Sequence, residues 1–269
     1  MKKLFSLVVA LLLVTVAAFA QDDKKNVAVE EFSYNSSIGT NWVTALRNNI
    51  IGGITNTQRV NVLDTKNVNL PANKEERLAA LGEMVDVILT CHFNSLKTAY
   101  DSKDKHYTCH ANYTITLTDA KGGAVISTTP FEDSWLVGDN ETDAINNCME
   151  KAAKGMKKFV DNNFKTEAVI KQLDQVDEKK GVKTAYISIG SNAGITAGQM
   201  FDIMEEVEIA GEKAQKKIGD AKAQEVVSGT LTLVKITKGG VEIKAAFNAG
   251  HKLIVITRAK KDLFGGLGL

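Results

Sequence analysis

The rhythm of apolar and polar positions changes several times along the chain. Positions 4–16 are almost wholly apolar, broken only by Ser6 and Thr15, and the sequence turns polar at Gln21-Asp22-Asp23. Val27-Ala28-Val29-Glu30-Glu31-Phe32 then reads as a first strand. Trp42, Val43, Leu46, Ile50, Ile51 and Ile54 follow at helical spacing, with Thr40 or Asn41 as the expected cap. Arg59-Val60-Asn61-Val62-Leu63-Asp64 predicts a second strand, and Leu78 and Leu81 mark a helix near 74–82. Two long alternating stretches come next. In 85–93 the apolar positions are Val85, Val87, Leu89, Cys91 and Phe93; in 106–118 they are Tyr107, Cys109, Ala111, Tyr113, Ile115 and Leu117. Such period-two patterning puts one face on a core and leaves the other wet. Asp101-Ser102-Lys103-Asp104 is the expected turn between them. Lys121-Gly122-Gly123 leads into a third strand within 124–137, completing an antiparallel meander. A stripe of Ile145, Cys148, Met149, Ala152, Met156, Phe159 and Val160 predicts a long helix starting at Asn140 or Thr142. The first segment is thus β-α-β-α-β-β-β-α, a mixed sheet with helices on one face.

From 161 to 180 the chain is mostly polar and reads as a helix end and a linker. Beyond it, short glycine-punctuated strands are expected at 182–189, 200–209, 224–236, 241–247 and 252–257, with Lys238-Gly239-Gly240 as a hairpin turn. Five short strands and no helix suggest a small barrel that closes its own edges. The expected fold class is therefore α+β. A mixed αβ sheet domain covers 21–163, a linker 164–180, a small C-terminal β-barrel 181–258 and a tail 259–269.

The apolar start is explained by its flanks. Lys2 and Lys3 precede it, and Ala18-Phe19-Ala20 follows with small residues at the two positions a signal peptidase reads, so 1–20 is expected to be a cleaved signal peptide. The apolar run is shorter than the roughly 20 residues a membrane span needs. No Cys lies near position 20, so lipid attachment there is not expected. The predicted location is periplasmic or secreted. Without Lys2 and Lys3 the 33 basic side chains fall to 31, against 32 acidic ones, which argues against a nucleic-acid partner.

Three groups of residues invite a chemical reading. His92, His106 and His110 fall on the polar face of the alternating strands, and the expected turn places His92 close to His110, a weak candidate for zinc or copper. No Asp, Glu or Cys on that face completes a ligand set. Cys91, Cys109 and Cys148 sit on apolar stripes, with His92 and His110 on the opposite face, so no imidazole is placed to activate a thiol. Buried thiols or one internal disulfide fit that setting better than a nucleophile. Gly190-Ser191-Asn192-Ala193-Gly194-Ile195-Thr196-Ala197-Gly198 lacks the Gly-Lys-Ser/Thr of a phosphate loop and is followed by a strand, which makes it a set of tight turns. No catalytic residue, cofactor or small-molecule substrate is inferred.

Two stretches resemble known families. Val27 to Phe32, the helix after it, Arg59 to Asp64, and Val85-Asp86-Val87-Ile88-Leu89-Thr90 resemble the CsgG/TolB-N-like domain over about 26–163. Gly194-Ile195-Thr196-Ala197-Gly198-Gln199-Met200-Phe201-Asp202-Ile203 and Ile218-Gly219-Asp220-Ala221-Lys222 are similar to the C-terminal barrel of the flagellar ring protein FlgT, with Gln199 where that family has Asp. The resemblance implies a non-catalytic envelope binding or scaffold protein whose partners are other envelope proteins, with oligomers allowed. The alternatives are a CsgG-like secretion-channel subunit, and a metal-binding protein or enzyme using the His92/His106/His110 face.

Overall fold

The computed structural model describes residues 24–260. The expected leader at 1–20 and all but the first two residues of the expected tail lie outside them. The fold is α+β, built from a mixed sheet with helices and a six-stranded closed barrel.

The sheet runs in the order β3-β1-β4-β5-β6, formed by Val60–Asp64, Lys25–Val29, Val87–Asp101, His106–Asp119 and Val125–Gly138. A two-residue strand β2 (Ser33–Tyr34) pairs beside β4. Strand β1 is parallel to β3 and β4, whereas β4-β5-β6 is the antiparallel meander that the alternation predicts. Helices α1 (Thr40–Thr55) and α3 (Glu141–Asn163) cover one face. Asn140 caps α3, its side chain accepting from the Asp143 amide at 3.0 Å, and Glu141 and Asp143 suit the positive end of the helix. Leu46, Ile50 and Ile54 of α1 meet Met149, Met156 and Phe159 of α3 over Leu89, Phe93, Ile115 and Leu117 of the sheet. Each fully buried Leu, Ile or Phe contributes roughly 1.5–3 kcal/mol.

Helix α2 (Lys74–Met84) corrects the expectation that all helices share a face. Its Leu81 packs with Ala28, Val85, Ile88 and Ala120 on the opposite side of the sheet. Val27, Ala28 and Val29 are all buried because β1, in the middle of the parallel part, is covered on both faces.

The barrel order is β10-β13-β12-β11-β14-β7. Its strands are β7 (Glu167–Leu173), β10 (Thr184–Ile187), β11 (Met200–Ile209), β12 (Glu212–Val226), β13 (Thr232–Lys238) and β14 (Leu253–Arg258). Besides the strand expected at 224–236, which is divided between the end of β12 and β13, the barrel segment differs from the sequence expectation in two places. Strand β7 lies within 164–180, which read as a linker; it closes the cylinder here by pairing with both β10 and β14. In the same stretch, β8 (Val176–Asp177) pairs with β9 (Gly181–Val182). The second difference is at 241–247, expected as a strand and found as helix α4 (Gly240–Asn248). Gly239, with φ 79°, turns the chain straight out of β13, so Lys238-Gly239-Gly240 starts a helix and not a hairpin. Ile243 and Ala246, three apart, then plug the barrel mouth while Ala245 faces solvent. Inside, Phe201 and Ile203 interdigitate with the small Ala185, Ala221 and Ala223. No described helix is long and apolar enough to cross a membrane.

Candidate functional site

The histidines are spread out. His92 pairs with Thr114 across β4–β5, and His110 with Lys97, so the two lie about four residues apart along the strands, roughly 13 Å. A bulge between Phe93 and Ser95 inverts the alternation along β4 and brings Leu96 onto the core. His106 pairs with Asp101 at the hairpin end, and His92 Nδ1 lies 2.8 Å from Ser33 Oγ. Among the described residues no three His, Cys, Asp or Glu side chains gather as metal ligands.

All three cysteines are buried thiols in the sheet–helix core. Burial pushes Cys91 up to about 12, which keeps it un-ionised. The neighbouring Cys148 lowers Cys109, whereas Cys109 and burial raise Cys148. Close by, the Tyr113 hydroxyl donates to Asp133 at 3.0 Å. Burial pushes both of these groups up, and the Asp133 charge raises Tyr113 further.

At the carboxyl ends of β1 and β3, where open α/β sheets place ligands, the polar groups satisfy one another. Arg47 is buried, donating to the Val29 and Glu30 carbonyls at 2.9 and 3.1 Å and to both oxygens of Asp64. The hydrogen bond from Arg47 holds Asp64 below the usual carboxylate range. Glu30 in turn takes both Nε and Nη2 of Arg77, at 3.1 and 2.6 Å.

A second buried arginine, which sequence reading noted only as part of a strand, ties the sheet to the barrel. Arg59 donates Nη1 to Asp161 at 3.2 Å, and Nη2 to the Phe164 carbonyl, Thr166 Oγ1 and Thr257 Oγ1 at 2.9, 3.0 and 2.7 Å. Burial raises the Asp161 carboxyl above its usual range, and Gln199 of the barrel side donates to the Arg258 carbonyl at 2.9 Å. Gly194 belongs to the same join: at φ 67° it lies against the Thr57 carbonyl, a place where a Cβ would collide with backbone. The glycine loop at 190–198 is thus a tight-turn element, as expected, fitted to the neighbouring half.

Strand β6 is the remaining exposed feature. It ends the sheet, so one side of a 14-residue strand has no strand partner among the described residues. Val125, Ile126 and Val137 are 64%, 52% and 49% exposed along it. Pro130 stands opposite Thr114 of β5, and a proline in a paired strand turns its nitrogen to the open side. The opposite edge strand β3 is only five residues long.

No protein-family model matches the chain, and no curated protein matches it. Among solved structures, it is similar to the hypothetical protein CT253 from Chlamydia trachomatis, at 12% identity and a TM-score of 0.39, over 51% of this chain and 95% of that one. A PelC dodecamer from Paraburkholderia phytofirmans aligns at 10% identity and 0.37, over 51% and 87%. The LpoB C-terminal domain from Salmonella enterica aligns at 11% and 0.28, over 46% and 92%. At such identities and TM-scores these likenesses carry no argument about function.

Proposed function

We propose that the protein is a non-catalytic binding or scaffold component of a bacterial cell envelope, and that it holds a protein partner along the open edge of β6. The exposed edge carries the proposal. A row of unpaired backbone donors and acceptors, flanked by exposed Val125 and Ile126, suits an extended partner segment that adds a strand. The signal-peptide pattern of 1–20 and the resemblance to CsgG/TolB-N-like and FlgT-like envelope proteins support the envelope setting. The buried join at Arg59 supports a scaffold role, because it fixes the barrel against the sheet.

The test is a photo-crosslinking side chain at position 126, with position 84 as an exposed control, in cells producing the full chain. Adducts to another envelope protein at 126 and not at 84 are expected. Thr128→Pro should abolish them, since residue 128 shares the outward parity of Pro130 and its pairing to β5 is unaffected. Adducts to a second copy of the chain would instead support a ring-forming channel subunit. Absence of adducts at 126, or their persistence in Thr128→Pro, would sink the edge-binding idea.

A further inference from the structure

Beside β9, the end of β13 and the start of α4, the barrel carries an open cleft of about 530 Å³. Lys180, Lys183, Lys235 and Lys238 line it, with Gln175 and Gln224 among the uncharged polar groups, and none of its twelve lining residues is acidic. Of the four ammonium groups, Lys183 alone has a carboxylate partner among the described residues, Asp177 at 3.1 Å. Asp177 also accepts from the backbone amides of Lys179 and Lys180, at 2.9 Å each. One carboxylate against four lysines leaves a surplus of three positive charges around the cleft. The register adds to the repulsion: Lys235 stands opposite Lys222 of β12, and like charges so placed destabilise a sheet.

Close backbone approaches hold the walls. A Cβ on Gly240 would lie 2.6 Å from the Val182 carbonyl oxygen and 2.8 Å from that of Lys180, and one on Gly181, at φ 74°, would strike the Gly240 carbonyl. Strand β9 and the first turn of α4 are thereby locked together, so Lys180 and Lys183, which flank β9, are set beside Lys235 and Lys238 of β13 before any ligand arrives. The start of α4, at Gly239 and Gly240, adjoins the cleft without a side-chain cap, and its positive end adds to the same field.

We propose that this cleft binds a phosphate group, carried by a soluble phosphate or diphosphate or by the headgroup of a phosphomonoester lipid. The surplus of three charges matches a dianion or trianion better than a lone carboxylate. No arginine lines the cleft; lysine binds phosphate as a compact point charge, without the planar fork that a guanidinium offers to a carboxylate. Val182 and Ile236 are the cleft's large apolar residues, and both are buried, so charge and not apolar contact carries recognition. The site is separate from the β6 edge and stands or falls without it.

The full chain is titrated calorimetrically with inorganic pyrophosphate, free of divalent cations, at low ionic strength, where surface charges are least screened. Saturable one-to-one binding is expected. Lys235→Gln/Lys238→Gln should weaken it about tenfold or more, the scale of one lost charge-assisted hydrogen bond. Lys74→Gln/Lys216→Gln removes the same charge from exposed positions elsewhere and should stay within about twofold of the wild type. All four lysines are exposed, and far-UV circular dichroism verifies that both variants are folded. Phosphatidylcholine vesicles containing phosphatidic acid separate the two sources. Cosedimentation that the cleft variant loses and the control variant keeps assigns the phosphate to a lipid headgroup; pyrophosphate binding without cosedimentation assigns it to a soluble ligand. No saturable binding of either probe, undiminished binding by the cleft variant, equal loss in both variants, or equal affinity for succinate would each overturn the proposal.

Discussion

Replacing Arg59 with Met tests how the two halves are joined. The methionine fills much of the space but takes from Asp161, whose side chain is 8% exposed, its hydrogen-bonded guanidinium, leaving only the charge of Lys157, and strips a donor from the Phe164 carbonyl and from Thr166 and Thr257. Removing one member of a buried pair costs on the order of 3–5 kcal/mol, chiefly because the other charge stays behind unpaired. Against a total stability of about 5–15 kcal/mol, that is a large fraction. Both tryptophans, Trp42 and Trp135, lie in the sheet half, so their fluorescence reports that half alone, whereas far-UV circular dichroism also follows the barrel. In urea the two signals should coincide for the wild type and separate for Arg59→Met, with the midpoints falling. Arg59→Met/Asp161→Asn should recover part of the loss, because the stranded carboxylate is gone. A single variant within about 1 kcal/mol of wild type, with coincident signals, would refute the reasoning, since it would mean that even a typical neutral hydrogen bond's contribution had not been lost.

Two further perturbations read other parts of the fold. Gly53 of α1 meets the Ala153 backbone of α3 so closely that a Cβ cannot fit, whereas Gly52 faces open space. Gly53→Ala should therefore destabilise by about 1–3 kcal/mol through overpacking, and Gly52→Ala should stabilise by up to about 1 kcal/mol through helix propensity; denaturant midpoints of the pair check the opposite signs. Asp133, raised by burial, favours the folded state most when protonated. Its contribution is present below the unfolded value of about 3.9 and is lost as pH rises through the higher folded value. Asp133→Asn keeps an acceptor for the Tyr113 hydroxyl and should remove that decline, so wild type and variant should diverge in stability between acid and neutral pH. Parallel profiles would contradict it.

The sheet half was legible because its strands are long and one-sided: Leu89, Cys91 and Phe93 alternate with polar residues, and α3 carries an unbroken stripe. What escaped was short or depended on the third dimension. Strand β7 buries only Ala168 and Ile170 between exposed charges, too little apolar signal over seven residues to be distinguished from a linker. The segment at 241–247 satisfies both periods, with Val241, Ile243, Ala245 and Phe247 alternating and Ile243 and Ala246 three apart. Position at the barrel mouth decided for the helix. The unbroken apolar run Val27-Ala28-Val29 did carry the mark of a strand covered on both faces, which would have placed α2 correctly. The separation of His92 from His110 follows from the register, which sets His92 opposite Thr114 and His110 opposite Lys97. The weight of Arg59 could not be read either, because its partners lie as far along the chain as Thr257.

The neighbourhood of β7 and β14 bears on the order in which the molecule can be assembled. These strands open and close the barrel segment, yet they lie side by side, with Ile254 against Val169. During synthesis the cylinder therefore stays unsealed, its β7 and β11 edges bare, until the ribosome has delivered nearly all of the described chain. Arg59 is made 198 residues before Thr257, so the sheet half waits for its last hydrogen-bond acceptor until that same moment. A nascent chain held back before β14 would expose two sticky edges and a half-satisfied buried cation together, the state in which a holding chaperone has most to protect.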